Sequence, residues 1–93
     1  MPEVCFVVDD EPIEAMAVEM ILQEQFPELA VYRATSSIKA LEMMKNVKPD
    51  LFIVDIQMPG LNGLDLIKEV KHHHPKARAL IISAYDAFEY AQK

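Results

Sequence analysis

Three short, wholly apolar runs in this chain each end on a polar group. Val4-Cys5-Phe6-Val7-Val8 runs into Asp9-Asp10, Leu51-Phe52-Ile53-Val54 into Asp55, and Ala79-Leu80-Ile81-Ile82 into Ser83. Continuous apolar runs this short, rich in β-branched residues, read as strands buried on both faces. Leu29-Ala30-Val31-Tyr32 reads as a further strand, and its flanking charges place it at a sheet edge.

Helical patterns fill the gaps. Ile13, Met16, Ala17, Met20 and Ile21 recur at i, i+3, i+4, i+7 and i+8 and make one apolar helix face. Pro12 suits the first turn and Pro27 marks the end. Ala40, Met43, Met44 and Val47 repeat the pattern, with Ser36 or Ser37 as cap and Pro49 as stop. Gly63, Leu66, Ile67 and Val70 predict a third helix, led in by Pro59-Gly60 and stopped before Pro75. Asp86 to Lys93 reads as the opening of a fourth. The order is β-α-β-α-β-α-β-α. Such alternation with short connections predicts right-handed crossovers and an α/β fold, a parallel sheet with helices on both faces.

A length of 93 residues fits one domain. With 52% hydrophobic and 26% charged residues, the composition excludes a disordered chain. No apolar run approaches ~18 residues, so no membrane span is expected. Met1-Pro2-Glu3 lacks the basic start of a signal peptide. The lone Cys5 excludes an internal disulfide and fits a reducing, cytoplasmic setting.

The formal net charge is −6. Glu3, Asp9, Asp10, Glu11, Glu14, Glu19, Glu24 and Glu28 all precede the first base, Arg33. Binding to DNA needs a basic footprint, and this chain does not offer one. An acidic front half points instead to a cation, or to a partner with a basic face.

Ligands of open parallel sheets bind beyond the carboxyl ends of the strands. Asp9, Asp10, Asp55 and Ser83 occupy those ends. A single Asp after a strand is ordinarily a turn former or a helix cap. Acids at two strand ends and Ser at a third make a stronger pattern. If the first and third strands are neighbours, three carboxylates converge, and like charges that close repel unless a cation joins them. Hard oxygen ligands with room for water suit Mg²⁺. The cation would neutralise an incoming phosphate and leave one carboxylate as nucleophile.

Val7-Val8-Asp9-Asp10-Glu11-Pro12, then Val54-Asp55-Ile56-Gln57-Met58-Pro59-Gly60-Leu61-Asn62-Gly63, then Ile81-Ile82-Ser83-Ala84-Tyr85 resemble the receiver domain of bacterial two-component response regulators. The likeness runs in order along the whole chain. It implies a flavodoxin-like doubly wound sheet of order 2-1-3-4, with residues 1–93 as the N-terminal fragment of a module that continues into a fifth strand and helix. It implies that Asp55 accepts a phosphoryl group from the phosphohistidine of a sensor histidine kinase. Asp10, Asp55 and the Gln57 backbone carbonyl would bind Mg²⁺ directly, and Asp9 mainly through water. Ser83 would bond a phosphoryl oxygen, and Ala84 would leave space beside it. Gln57 and Tyr85 would tune the lifetime of the phosphorylated state. The resemblance further implies an output domain, most often DNA-binding, and a docking face for the kinase on the acidic first helix.

The lysine that pairs with the phosphoryl group in this family lies on the fifth strand, and Lys93 is not that residue. Without that strand the fourth becomes an apolar edge, so dimerisation or segment exchange through it is expected, and so is weak, uncoupled phosphorylation. The chain would be a signalling module rather than an enzyme. Two other readings compete. A dehalogenase-type phosphatase carries a second Asp two residues after its nucleophile, where this chain has Gln57. A flavin-binding domain needs a Ser/Thr/Gly-rich loop after the first strand, where Asp9-Asp10-Glu11 would repel phosphate.

Four further features read as structural. His72-His73-His74 on consecutive helix positions point in different directions and suit a solvated helix C-terminus. Cys5 reads as core packing, and the methionines mostly as core filler. Tyr85, Phe88 and Tyr90 read as core residues awaiting the missing segment.

Overall fold

The computed structural model describes residues 3–55 and 63–82. The elements are β1 (Val4–Val8), α1 (Pro12–Gln25), β2 (Ala30–Ala34), α2 (Ser37–Met44), β3 (Leu51–Asp55), α3 (Gly63–His73) and β4 (Arg78–Ile82). The strands form one parallel sheet of order β2-β1-β3-β4, the flavodoxin-like order. The expected fourth helix, from Asp86 onward, lies outside the described residues.

Strand alternation sorts the core into two layers. Phe6, Val8, Phe52 and Val54 face α2 and α3, joining Ala40, Met44, Leu66 and Val70 in one buried cluster. Phe6 also stacks on Tyr32 of β2, with ring centroids 5.4 Å apart. The intervening residues Cys5, Val7 and Ile53 are buried too. They form the opposite layer, beneath α1, whose Ala15 is fully buried.

Local chemistry sets the helix ends. Pro12 opens α1, and the Phe26 N–H closes it on the Leu22 carbonyl at 2.7 Å, just ahead of Pro27. Ser36 caps α2, its hydroxyl accepting from the Lys39 N–H at 3.1 Å. Lys71 Nζ donates to the carbonyls of Pro75 and Ala77, at 3.1 and 2.6 Å, and turns the chain from α3 into β4. At the amino end of the sheet Asp50 ties three strands. Its N–H donates to the Val4 carbonyl, its Oδ2 accepts from the Val4 N–H, and its carbonyl accepts from the Arg78 N–H, at 2.9, 2.8 and 3.0 Å.

Two expectations change. The apolar stripe of α1 is not its buried face: Ile13, Met16, Met20 and Ile21 are exposed, with Ile13 at 81%. Glu14, Ala15, Val18, Glu19 and Leu22 turn inward instead. Apolar residues lie all round this helix, so periodicity alone does not choose a face. Small Ala15 permits close approach to the sheet, and on the same side Glu19 pairs with Arg33 of β2 at 2.7 Å. The second change is β4, which is not buried on both faces. Leu80 and Ile81 are 51% and 46% exposed, and among the described residues β4 pairs only with β3.

Candidate functional site

Register brings the acids together. Val7 pairs with Ile53 and Val8 with Val54 across β1 and β3. One step further along the same ladder stand Asp9 and Asp55. Asp9 continues the backbone course of β1, its N–H donating to the Ala34 carbonyl at 3.1 Å. Both aspartates share strand parity with Val7 and Ile53, so they lie on the α1 side of the sheet. Both are buried, Asp9 completely.

A third carboxylate completes the cluster. One oxygen each of Asp9, Glu14 and Asp55 lie within 4.8 Å of one another. Glu14 sits in the first turn of α1. Helical side chains lean toward the helix N-terminus, so a first-turn Glu reaches back over the carboxyl end of β1. Sequence reasoning missed it. The available signal was its place five residues after Asp9, just past the helix-opening Pro12.

Asp9 plays two parts. Its Oδ1 accepts from the Glu11 N–H at 2.9 Å, the turn-forming role of an Asp after a strand. Its Oδ2 is buried, and with Glu14 ionised no hydrogen-bond donor among the described residues reaches it. Burial raises the Asp9 carboxyl above its usual range, and the charges of Asp55 and Asp10 add to the rise. The Glu11 N–H and a protonated Glu14 act in the opposite sense. Glu14 is raised as well, first by burial, then by the charges of Asp9 and Asp55.

Asp10 is partly exposed beside this cluster and is not among its three members. Gln57, Ser83, Ala84 and Tyr85 lie outside the described residues, as does the stretch from Ile56 to Asn62. The histidines sit at the far end of α3. His73 lies 3.6 Å from Glu69, one turn back, and His72 meets His73 edge-on at 5.1 Å. Cys5 lies in mid-strand, fully buried, and its thiol is pushed up to about 11 by burial. Such a thiol is a packing group rather than a nucleophile.

The donor set fits a hard divalent cation. Three close carboxylate oxygens, one of them buried and, among the described residues, lacking a donor while Glu14 is ionised, repel unless they are protonated or share a positive charge. Among the described residues no helix is long and apolar enough to cross a membrane.

Comparison with known proteins agrees with the geometry. Residues 5–93 match the model of the response regulator receiver domain. The chain is 37% identical over 78 residues to the chemotaxis protein CheY of Thermotoga maritima, covering 84% of this chain and 64% of CheY. It is 33% identical over 85 residues to the transcriptional regulatory protein HptR of Staphylococcus aureus, covering 90% of this chain and 33% of HptR. It thus spans about a third to two thirds of the length of these relatives. Among solved structures it resembles the response regulator TrrA of Thermotoga maritima in complex with Mg²⁺-BeF, at a TM-score of 0.80 and 30% identity, covering 95% of this chain and 75% of that one. It also resembles a chain in the complex of histidine kinase ThkA with TrrA, at a TM-score of 0.78 and 31% identity, covering 89% and 70%.

Proposed function

We propose that this chain, which belongs to the response regulator receiver family, takes its phosphoryl group on Asp55 and passes the signal on through that modification. A receiver is the phosphoacceptor of a two-component system, a signalling module rather than an enzyme with a separate substrate. The observation that carries the assignment to Asp55 is its place at the carboxyl end of the central strand β3, within 4.8 Å of Asp9 and Glu14 oxygens.

In the proposed step a carboxylate oxygen of Asp55 attacks phosphorus, the P–N bond of a phosphohistidine breaks, and the imidazole leaves. Phosphoryl transfer depends on positioning and charge neutralisation more than on covalent machinery. Asp10, Asp55 and the Gln57 carbonyl would hold Mg²⁺, with Asp9 acting mainly through water. The cation supplies the positive charge that lets a phosphate approach so many carboxylates. Ser83 would bond a phosphoryl oxygen. The Mg²⁺-BeF complex of TrrA supports the cation assignment.

A sensor histidine kinase is the proposed donor, as the complex of ThkA with TrrA supports. Its docking face would be the outer side of α1, where Ile13, Met16 and Met20 are exposed. The likeness to HptR supports an output in transcription, carried by a domain other than the one described. The buried free thiol of Cys5 supports a reducing, cytoplasmic setting. Exposed Leu80 and Ile81 on β4 support self-association through that strand. Sedimentation velocity showing only monomer at high concentration would remove that part of the reading.

The test of Asp55 is intact-mass analysis after incubation with a small acyl phosphate. The wild type should gain one phosphoryl group with Mg²⁺ and none with chelator, and Asp55→Asn should gain none. Equal gain by Asp55→Asn would overturn the assignment. Turnover of a small phosphate ester would favour the phosphatase reading instead.

A further inference from the structure

We propose that Glu14 is an additional acidic group of the cation site, acting beside Asp9 on a bound divalent cation or on water held by it. The inference rests on the receiver reading above and adds a residue to it. The sequence pattern of paired aspartates and Asp55 accounts for the site without Glu14.

Two independent observations carry it. The first is geometric: a Glu14 carboxylate oxygen lies within 4.8 Å of oxygens from both Asp9 and Asp55. That spacing is close enough for one ion, or one ion with a bound water, to touch all three. The second is Asp9 Oδ2, on a side chain with no exposed surface and, among the described residues, with no donor in reach when Glu14 is ionised. A buried acceptor in that state calls for a cation or a donor on its open side. Glu14 faces the same space.

The position in the helix supports the role. Glu14 turns inward with Ala15 and Val18, whereas Ile13 and Met16 turn to solvent. An inward glutamate in place of an apolar side chain is costly unless something meets its charge. The N-terminus of α1 meets part of it, and Arg33 is engaged with Glu19 one turn further on. A divalent cation meets the rest.

The test is titration calorimetry of the protein with Mg²⁺ at neutral pH, for the wild type, Glu14→Gln, Glu24→Gln and Asp55→Asn. Glu24 is exposed near the other end of the same helix, so its variant matches the change in net charge. Glu14→Gln should weaken Mg²⁺ binding roughly tenfold, as loss of a supporting group at a metal site typically does. Glu24→Gln should leave it within about twofold. Thermal melting supplies the second readout: with chelator, Glu14→Gln should melt at or above the wild type, and Mg²⁺ should raise its midpoint less. If Glu14→Gln binds like the wild type while Asp55→Asn does not bind, this inference falls and the receiver reading stands. If Glu14→Gln and Glu24→Gln weaken binding equally, the effect is one of net charge and the inference falls. Absence of Mg²⁺ binding by the wild type would overturn both readings.

Discussion

Asp9 and Asp55 stand one step beyond Val8 and Val54, the last pair in the ladder between β1 and β3. Parallel register thus converts two strand ends far apart in sequence into one acidic pocket. The same parity that buries Val7 and Ile53 under α1 aims both carboxylates toward the first turn of that helix, where Glu14 waits.

The crowding has a pH signature. The carboxyls of Asp9 and Glu14 are raised from ordinary values of 3.8 and 4.5. The folded protein therefore holds these protons more tightly than the unfolded chain. Their contribution is most favourable below the unfolded values and is lost as pH rises toward the folded ones. Urea midpoints of the metal-free protein, measured upward from about pH 4.5, should fall through this window. Adding Mg²⁺ should flatten the fall. A midpoint that rises with pH in chelator would contradict the account.

Relief of repulsion should also follow from substitution. Asp9→Asn removes one charge from the pocket and keeps an oxygen for the Glu11 N–H. In chelator its thermal midpoint should equal or exceed that of the wild type, whereas in Mg²⁺ the wild type should gain and the variant should not.

The phase of α1 is open to a direct check. Ile13→Ser and Met20→Ser alter exposed positions and should change stability by less than about 0.5 kcal/mol. Val18→Ala and Leu22→Ala cut the inward side and should cost about 1–3 kcal/mol. Denaturant unfolding that ranks the two sets the other way would restore the apolar stripe as the core face.

That helix shows what sequence could and could not reveal. The strands were legible because an unbroken apolar run ending in Asp fits little except a buried strand reaching a site. The faces of α3 are legible because the buried Gly63, Leu66 and Val70 follow helical spacing while Asp65, Lys68 and Glu69 fall between them. The stripe on α1 is misleading, because Ala15, Val18 and Leu22 form a second apolar side, and it is this side, with small Ala15 against the sheet and Glu19 paired to Arg33, that turns inward. In the sequence Glu14 is one more acid in an acidic helix. Its role depends on a distance to Asp55 that spans 41 positions and is set by the register of β1 and β3.

Cys5 should be silent to thiol reagents. Its thiol is buried and pushed up to about 11, so almost no thiolate exists at neutral pH. A chromogenic disulfide reagent should label it only after unfolding, at the rate of global opening. Rapid labelling of the native protein would contradict the complete burial of Cys5 in β1.

The core cluster predicts a large cost at one position. Phe52→Ala empties a fully buried ring in the layer beneath α2 and α3, and should cost about 3–5 kcal/mol in urea unfolding.

The most direct measurement is the location of the phosphoryl group. After acyl-phosphate treatment with Mg²⁺, borohydride reduces an aspartyl phosphate to the corresponding alcohol and releases phosphate. Peptide mass spectrometry then finds the altered residue. The account predicts homoserine at Asp55 and unmodified Asp9, Asp10 and Glu14. Reduction at any of those three, with Asp55 intact, would contradict it.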